Sequence, residues 1–185
     1  MEPAEIIRKF YPPGSKGYEV LIRHSESVAE KSLAIADHNS RLNPDREFIH
    51  QAAMLHDIGI FKTDAPDIGC FGSAPYICHG VLGGALLQEM GLEPHALVSE
   101  RHTGAGITAE NIETNGLPLP CREMVPLTLE EKIVCVADKF FSKSPGQSGR
   151  EKSMEEIVQG LERTDPSHAR RFLLMAEELR LSSSD

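Results

Sequence analysis

The sequence predicts an all-α protein with a single domain. Apolar residues recur at helical spacing in most segments between turns. Alternating runs of β-branched residues, which would indicate strands, are missing throughout. A chain of 185 residues with 40% hydrophobic and 25% charged residues has the size and composition of one globular domain. We therefore predict one helical bundle over residues 1–185, with its core at about 18–143 and C-terminal helices packed on it within 151–181.

The predicted helices before residue 60 include two that carry histidines. Residues 4–10 form a short helix, and a longer one runs from Tyr18 to His38. The next helix runs from Pro44 to about Ile58, with Asn43 as its N-cap and Gly59 as its stop. One face of each helix carries apolar residues together with a histidine. These faces are Leu21, His24, Val28 and Ile35 on the first, and Ile49, Ala52, Ala53 and His56 on the second.

A loop at 59–75 leads into the second half of the predicted bundle. The helix at 76–90 carries His79 on its apolar face, and a helix at 94–101 ends at His102. Thr108 begins a short helical segment, and 117–127 is a proline-rich loop. Thr128 and Glu131 form a capping box that opens a helix containing Asp138. The final helices, at about 151–162 and 166–180, either cap the bundle or form a homodimer.

Composition excludes several classes of protein. No apolar run is long enough to cross a membrane, and the N-terminus lacks the pattern of a signal peptide, so we expect a cytoplasmic protein. The four cysteines form no zinc-ribbon pair and are expected to be reduced. A net charge of −9 argues against general binding to nucleic acid. It leaves room for a small anionic substrate, because bound metal ions can make a pocket locally positive.

Six residues that can bind a metal lie on inward helical faces or at helix ends. Burying imidazoles and carboxylates together is costly unless a charged partner compensates, and a metal ion is such a partner. A helical bundle can bring ligands from separate helices to one point. The six are His24, His56, Asp57, His79, His102 and Asp138. The other four histidines, which we expect to be exposed to solvent, are His38, His50, His95 and His168.

The stretch His56-Asp57-Ile58-Gly59 resembles the core motif of the HD-domain superfamily of metal-dependent phosphohydrolases, in its HDIG form. The order H…HD…H…H…D along the chain resembles the members that hold two metal ions. The resemblance implies an HD-type helical bundle in which Asp57 bridges two metals. It assigns His24, His56 and Asp138 to one metal, and His79 and His102 to the other. Four imidazoles and two carboxylates favour Fe, Mn, Zn, Co or Ni over Ca or Mg.

The resemblance is closer in one part of the chain, which looks like a group of small stand-alone microbial HDIG proteins that are predicted hydrolases without an established substrate. It covers about residues 20–143, and the stretches that carry it are 100–108, 129–134 and 137–138. HD proteins that split dinucleoside tetraphosphates share the same ligand order. The branch that hydrolyses cyclic-di-GMP usually has lysine directly after the HDIG motif, where this chain has Ile60. That departure argues against a cyclic-di-GMP substrate.

The resemblance implies a phosphohydrolase in which a metal-bound hydroxide attacks a nucleotide or another small phosphate ester, with Asp57 orienting the attacking water. Negative charge that develops on the phosphate calls for further cations. Lys62, in the loop after the motif, and Arg101, beside His102, are our first candidates, followed by Lys139.

Two alternative functions remain open at this point. Some HD-domain proteins with the same ligands are di-iron oxygenases that cleave C–H or C–P bonds. The chain could also be a nucleotide- or metal-sensing module without turnover. Metal content, oxygen uptake and product release would distinguish these functions.

Overall fold

The computed structural model describes residues 1–144, 146 and 149–181, and this part of the chain is mainly helical. The all-α prediction is confirmed. The helices are α1 (Pro3–Phe10), α2 (Lys16–His38), α3 (Arg46–Leu55), α4 (His79–Glu89), α5 (Glu93–Arg101), α6 (Ala109–Asn115), α7 (Leu129–Lys139), α8 (Met154–Thr164) and α9 (Pro166–Glu178).

Short elements fill the connections between these helices. The 3-10 helices are Ser40–Leu42, Ile58–Lys62, Pro66–Ile68 and Tyr76–Cys78. Strands β1 (Asp64–Ala65) and β2 (Cys70–Phe71) form an antiparallel pair in which Asp64 lies opposite Phe71. This pair lies within the segment 59–75 that the sequence indicated as loop. Two-residue strands are too short to produce an alternating pattern in the sequence.

The core is built around α2, α3 and α7. Helix α2 packs against α3 and α7, while α5 contacts α3, α4 and α7. Helix α4 also packs against the 3-10 helix Ile58–Lys62. The apolar faces of α2 and α3 therefore point into the core, as their periodicity predicted. The largest side chains with almost no exposure include Leu55, Ile133, Phe140 and Phe172.

The start of α3 differs from the prediction. Asp45, and not Asn43, is the N-cap, and its carboxylate accepts a hydrogen bond from the amide of Phe48 at 2.9 Å. Asn43 instead has left-handed backbone angles with φ 51° at the end of the preceding 3-10 helix. Asparagine tolerates this conformation better than most residues, which explains its place at the turn.

Gly59 does not stop α3, because α3 ends at Leu55 and His56 is its C-cap. Gly59 lies buried in the next 3-10 helix, where the backbone of α4 passes close to it. An added Cβ would lie 2.8 Å from the Cα of Gly83 and still closer to the carbonyl oxygen of His79. The glycine therefore permits close packing of two backbones beside the HD motif.

The predicted capping box at α7 is only half formed. Thr128 accepts the hydrogen bond from the amide of Glu131 at 3.2 Å. The Glu131 carboxylate, however, accepts from the amide of Leu127 at 2.7 Å and pairs with Arg101. Glu131 thus ties α7 to α5.

The C-terminal helices pack on the bundle. Buried Asn39, at the end of α2, donates from Nδ2 to the carbonyl oxygen of Leu179 at 2.9 Å. Arg171 of α9 donates to the carbonyl oxygens of Ala105 and Gly106 in the loop after α5. These bonds fix α9 beside the segment that follows His102. A homodimer stays a prediction.

In the part of the chain that the structure describes, no helix combines the length and the hydrophobicity needed to cross a membrane.

Candidate metal centre and cleft

Six side chains from five helices converge inside the bundle. His24 lies on α2, His56 caps the end of α3, and Asp57 follows it directly. His79 is the first residue of α4, His102 caps the end of α5, and Asp138 lies near the end of α7. All six are buried, with no more than 6% of any residue exposed. They are the six residues that the sequence analysis selected.

Asp57 lies between two groups of potential metal donors. Its Oδ2 is 3.2 Å from Nε2 of His24 and 3.0 Å from Nε2 of His56. Its Oδ1 is 3.3 Å from Nε2 of His79 and 3.4 Å from Nε2 of His102. Asp138 joins the first group, with Oδ1 2.9 Å from Nε2 of His24. The two groups share only Asp57, so its carboxylate belongs to both.

Backbone carbonyls orient three of the imidazoles. Nδ1 of His56, His79 and His102 lies 2.5, 2.7 and 2.7 Å, respectively, from the carbonyl oxygen three residues earlier. A carbonyl oxygen can only accept, so each Nδ1 carries the proton and donates. In the neutral ring, Nε2 then presents a lone pair to the centre, which is the form that binds a metal.

The inward-facing atoms are mostly acceptors, and this is the property that fits a metal. Nε2 of His79 lies 3.1 Å from Nε2 of His102, and both face Oδ1 of Asp57. Lone pairs that point at each other and at a buried carboxylate require a proton or a cation between them. The cluster is therefore capable of binding divalent metal ions.

Burial and nearby charges shift the pKa values of the two donor groups in different directions. Burial opposes ionisation of Asp57, but the nearby charges of His56 and Lys143 outweigh it and hold the pKa of Asp57 well below its usual range. Burial also opposes protonation of His56, yet Asp57 and Asp138 raise the pKa of His56 to about 9. In the second group, burial is the main cause that lowers the pKa of His79 to about 3. His79 is thus a neutral imidazole at physiological pH.

Lys143 is a site residue that the sequence analysis missed. Its Nζ lies 2.6 Å from Oδ2 of Asp57, 3.1 Å from Nε2 of His24 and 3.8 Å from Oδ1 of Asp138. These are donor atoms of the first group, so the ammonium would compete with a metal ion for them. Lys143 follows the end of α7, where helical periodicity gives no signal of its direction.

Lys62 and Arg101 lie elsewhere than the sequence analysis expected. Nζ of Lys62 lies 5.9 Å from the ring of its neighbour Phe61. Nη1 of Arg101 donates to both carboxylate oxygens of Glu131 at 2.9 Å, so its charge is already paired. Within the described part of the chain, neither side chain is among those that line the cleft beside the cluster.

A cleft of about 700 Å³ opens beside the second group. His79, His102 and Asp138 form part of its wall, so the cluster is reachable from it. Lys139, Lys143 and Lys152 also line the cleft. Burial, and the charges of Lys139 and Lys143, lower the pKa of Lys152 despite the opposing effect of Asp138. Three aspartates, Asp64, Asp67 and Asp138, line the cleft together with these three lysines. Apolar residues such as Tyr76, Ile77 and Phe141 form another part of its wall.

Two of the four histidines expected to be exposed are buried. His38 and His50 face solvent as predicted, but the exposed fraction is only 9% for His95 and 6% for His168. His95 packs edge-on against Phe48, with ring centroids 4.9 Å apart. His168 lies on α9 and lines the cleft. Neighbouring polar residues along the chain suggested exposure, but tertiary packing determines it.

Metal binding to the cluster should stabilise the fold measurably. At a free Mn²⁺ concentration 100 times Kd, the expected gain in free energy of unfolding is about 2.7 kcal/mol. For a chain of this size, each kcal/mol moves Tm by about 2–4 °C. Thermal unfolding in Mn²⁺ and in EDTA measures the effect. The same Tm in both, at Mn²⁺ concentrations up to the millimolar range, would contradict binding at the cluster.

Comparison with known proteins gives the chain a family. The HD domain model matches residues 21–142. An uncharacterised protein of Methanocaldococcus jannaschii is 40% identical over 126 residues, which cover 66% of this chain and 67% of that protein. Two tRNA (cytidine(56)-2'-O)-methyltransferases also match. The enzyme of Picrophilus torridus is 36% identical over 67% of this chain. The enzyme of Thermoplasma volcanium is 35% identical over 71% of this chain. The matched regions cover 32% and 34% of those enzymes, so this chain corresponds to about a third of their length.

Solved structures agree with the family. The HD domain of the L. monocytogenes phosphodiesterase PgpH superposes with a TM-score of 0.53 and 15% identity, covering 96% of this chain and 94% of that one. The same domain in complex with cyclic-di-AMP gives 0.54 and 16%, covering 97% and 94%. At this identity the likeness shows a common fold. The family match over most of the chain, together with the shared fold, shows that this protein belongs to the HD domain family.

Proposed function

We propose that this protein is a metal-dependent phosphohydrolase that acts on a nucleotide or another small phosphate ester. The observation that carries the proposal is the position of Asp57 between two buried donor groups, beside a cleft lined by lysines. A bridging carboxylate with open access from one side is the arrangement that two-metal hydrolysis of phosphate esters requires.

The chain would hold two divalent transition metals, drawn from Fe, Mn, Zn, Co and Ni. When bound, such ions supply a hydroxide nucleophile at neutral pH and neutralise charge on the phosphate. The donors proposed for the first ion are His24, His56, Asp57 and Asp138. Those proposed for the second are Asp57, His79 and His102.

The chain's own residues set up the reaction around these donors. The bonds from Nδ1 to backbone carbonyls keep three imidazoles in one orientation, so little reorganisation is needed when substrate binds. Lys143 and Lys139 flank Asp138 at the cleft and offer charge to phosphate oxygens. We assign to Lys143 the cation role that the sequence analysis gave to Lys62 and Arg101.

A nucleotide is the substrate class that the cleft favours. Its volume of about 700 Å³ lies within the range of small-molecule sites, and it combines apolar walls with a basic region. PgpH, which shares the fold, is a phosphodiesterase crystallised with cyclic-di-AMP, and this supports a nucleotide here.

The four cysteines are unpaired, which agrees with the reducing conditions of the cytoplasm.

Hydrolysis of phosphate esters tests the proposal. The full chain, loaded with Mn²⁺, is assayed for phosphate release from nucleoside mono-, di- and triphosphates, for nucleotide products from cyclic dinucleotides, and for p-nitrophenol from bis(p-nitrophenyl) phosphate. Hydrolysis of at least one ester is expected, and EDTA should abolish it. Two irons with oxygen uptake and no hydrolysis would favour a di-iron oxygenase. Tight nucleotide binding without any product would favour a sensing module. Either outcome would overturn the hydrolase.

Replacement of Lys143 by methionine should separate metal binding from catalysis. The variant loses the ammonium that competes for Asp57 and His24, so Mn²⁺ should bind more tightly. Loss of a charge that stabilises the transition state should lower kcat/KM by about 100-fold. Metal titration and the hydrolysis assay measure the two effects, with Lys9→Met on the exposed surface of α1 as control. Unchanged kcat/KM in the Lys143 variant would remove this residue from the mechanism.

A further inference from the structure

Helix α9 contributes a buried imidazole to the cleft, from outside the segment that matches the family. His168 is only 6% exposed and lines the same cleft as His79 and His102. Neither of its ring nitrogens has a hydrogen-bond partner within the described part of the chain. A buried polar group without a partner costs about 1–3 kcal/mol, so an imidazole in this state is suited to a partner that arrives with the substrate.

The loop after α5 makes room for this ring. Gly104, two residues after His102, has φ +68°, and a Cβ there would lie 2.8 Å from Cε1 and Nδ1 of His168. Arg171, one turn further along α9, holds the same loop through the carbonyl oxygens of Ala105 and Gly106. The ring is therefore held against the segment that also positions His102.

The chemistry of the ring indicates what it recognises. Burial, and after it the charge of Arg171, lower the pKa of His168, so the imidazole is neutral at physiological pH. A neutral imidazole offers one donor and one acceptor and is suited to a hydroxyl group rather than to a phosphate. Thr103, next in the chain to His102, also lines the cleft, and its hydroxyl has no hydrogen-bond partner among the residues that the structure describes. Both groups lie near the metal donors, where the part of the substrate directly attached to phosphate would lie.

We infer that His168 is a specificity-determining residue that hydrogen-bonds a sugar hydroxyl of a ribonucleotide held with its phosphate at the metal centre. This inference rests on the proposed function for the position of the phosphate. It adds a role for the C-terminal helices, which contribute Leu161, Thr164 and His168 to the wall of the cleft.

Binding of deoxy analogues tests the inference without requiring turnover. Calorimetry on the full chain with Mn²⁺ compares AMP with 2′-deoxy-AMP and 3′-deoxy-AMP. We expect the wild type to bind AMP about tenfold more tightly than at least one analogue. This ratio corresponds to the net free energy of one neutral hydrogen bond. In His168→Phe that ratio should fall to about one. The same change at exposed His50 should preserve it.

Several outcomes would overturn the inference. They are equal binding of the three nucleotides by the wild type, no binding of AMP, or a ratio that survives in His168→Phe. His168→Asn keeps hydrogen-bond donors and an acceptor, so it should retain part of the ratio. This variant also shows whether misfolding alone explains the loss of the ratio in His168→Phe. Hydrolysis of bis(p-nitrophenyl) phosphate, which has no sugar, reports on the metal centre separately. If the protein hydrolyses esters but binds the three nucleotides equally, only the His168 subsite is rejected. If it discriminates among the nucleotides but hydrolyses no ester, only the proposed function is rejected.

Discussion

Replacement of Asp57 by asparagine is expected to lower the hydrolysis of phosphate esters by about 1000-fold or more. Asparagine keeps the shape of the side chain but removes the charge that both donor groups share. Loss of a bridging carboxylate removes several kcal/mol of stabilisation from the transition state, and each 1.36 kcal/mol is a factor of ten in rate. Phosphate release under saturating Mn²⁺ measures the rate, and elemental analysis should show fewer metals per chain than in the wild type.

The matched control is Asp37→Asn on α2. Asp37 is exposed and pairs with Arg46 at the surface, away from the cleft. Its variant should keep both the wild-type rate and the wild-type metal content. An Asp57 variant with the same rate as this control would contradict a bridging role.

Replacement of Gly59 by alanine is expected to destabilise the fold by about 3 kcal/mol, at the upper end of the usual cost of overpacking. The added methyl group would meet the backbone of α4 at His79 and Gly83, where no flexible side chain can move aside. Tm should fall by roughly 10 °C. Because the strain acts at His79, we also expect weaker binding of the second metal. Thermal unfolding with and without Mn²⁺ measures both effects.

Gly160→Ala provides the comparison for this prediction. Gly160 lies within α8, and a Cβ there would meet nothing within 4 Å. This change should stabilise the protein by about 0.5–1 kcal/mol, because alanine loses less conformational freedom in a helix. If both variants were equally stable, the close approach at Gly59 would not be a packing constraint.

The sequence was most informative where apolar periodicity and chemistry coincide. His24 and Asp138 lie on the buried faces of α2 and α7, so the same pattern that predicted the helices placed these potential ligands inward. Helix ends were less predictable. Asn43 is the predicted N-cap of α3, but Asp45 takes that place because Asn43 has left-handed backbone angles in the turn before the helix.

The parts that could not be predicted depend on tertiary contacts. The acceptors for the imidazoles are backbone carbonyls, which carry no sequence signal. Lys143, just after α7, reaches Asp57, just after α3, because these two helices pack against each other. A long side chain can point in many directions, so the sequence does not predict this contact. His168 is buried because α9 folds back on the loop after His102. Arg101 was expected at the cleft, but its partner Glu131 lies on a helix that is distant in sequence.

The measurement that tests the central claim most directly is a titration of the metal-free chain with Mn²⁺. The initial rate of hydrolysis is followed for the best substrate from the panel of phosphate esters. We predict that the rate rises until two equivalents of metal are bound per chain and then levels off. A rate that saturates at one equivalent, or no hydrolysis at any metal loading, would contradict a two-metal phosphohydrolase.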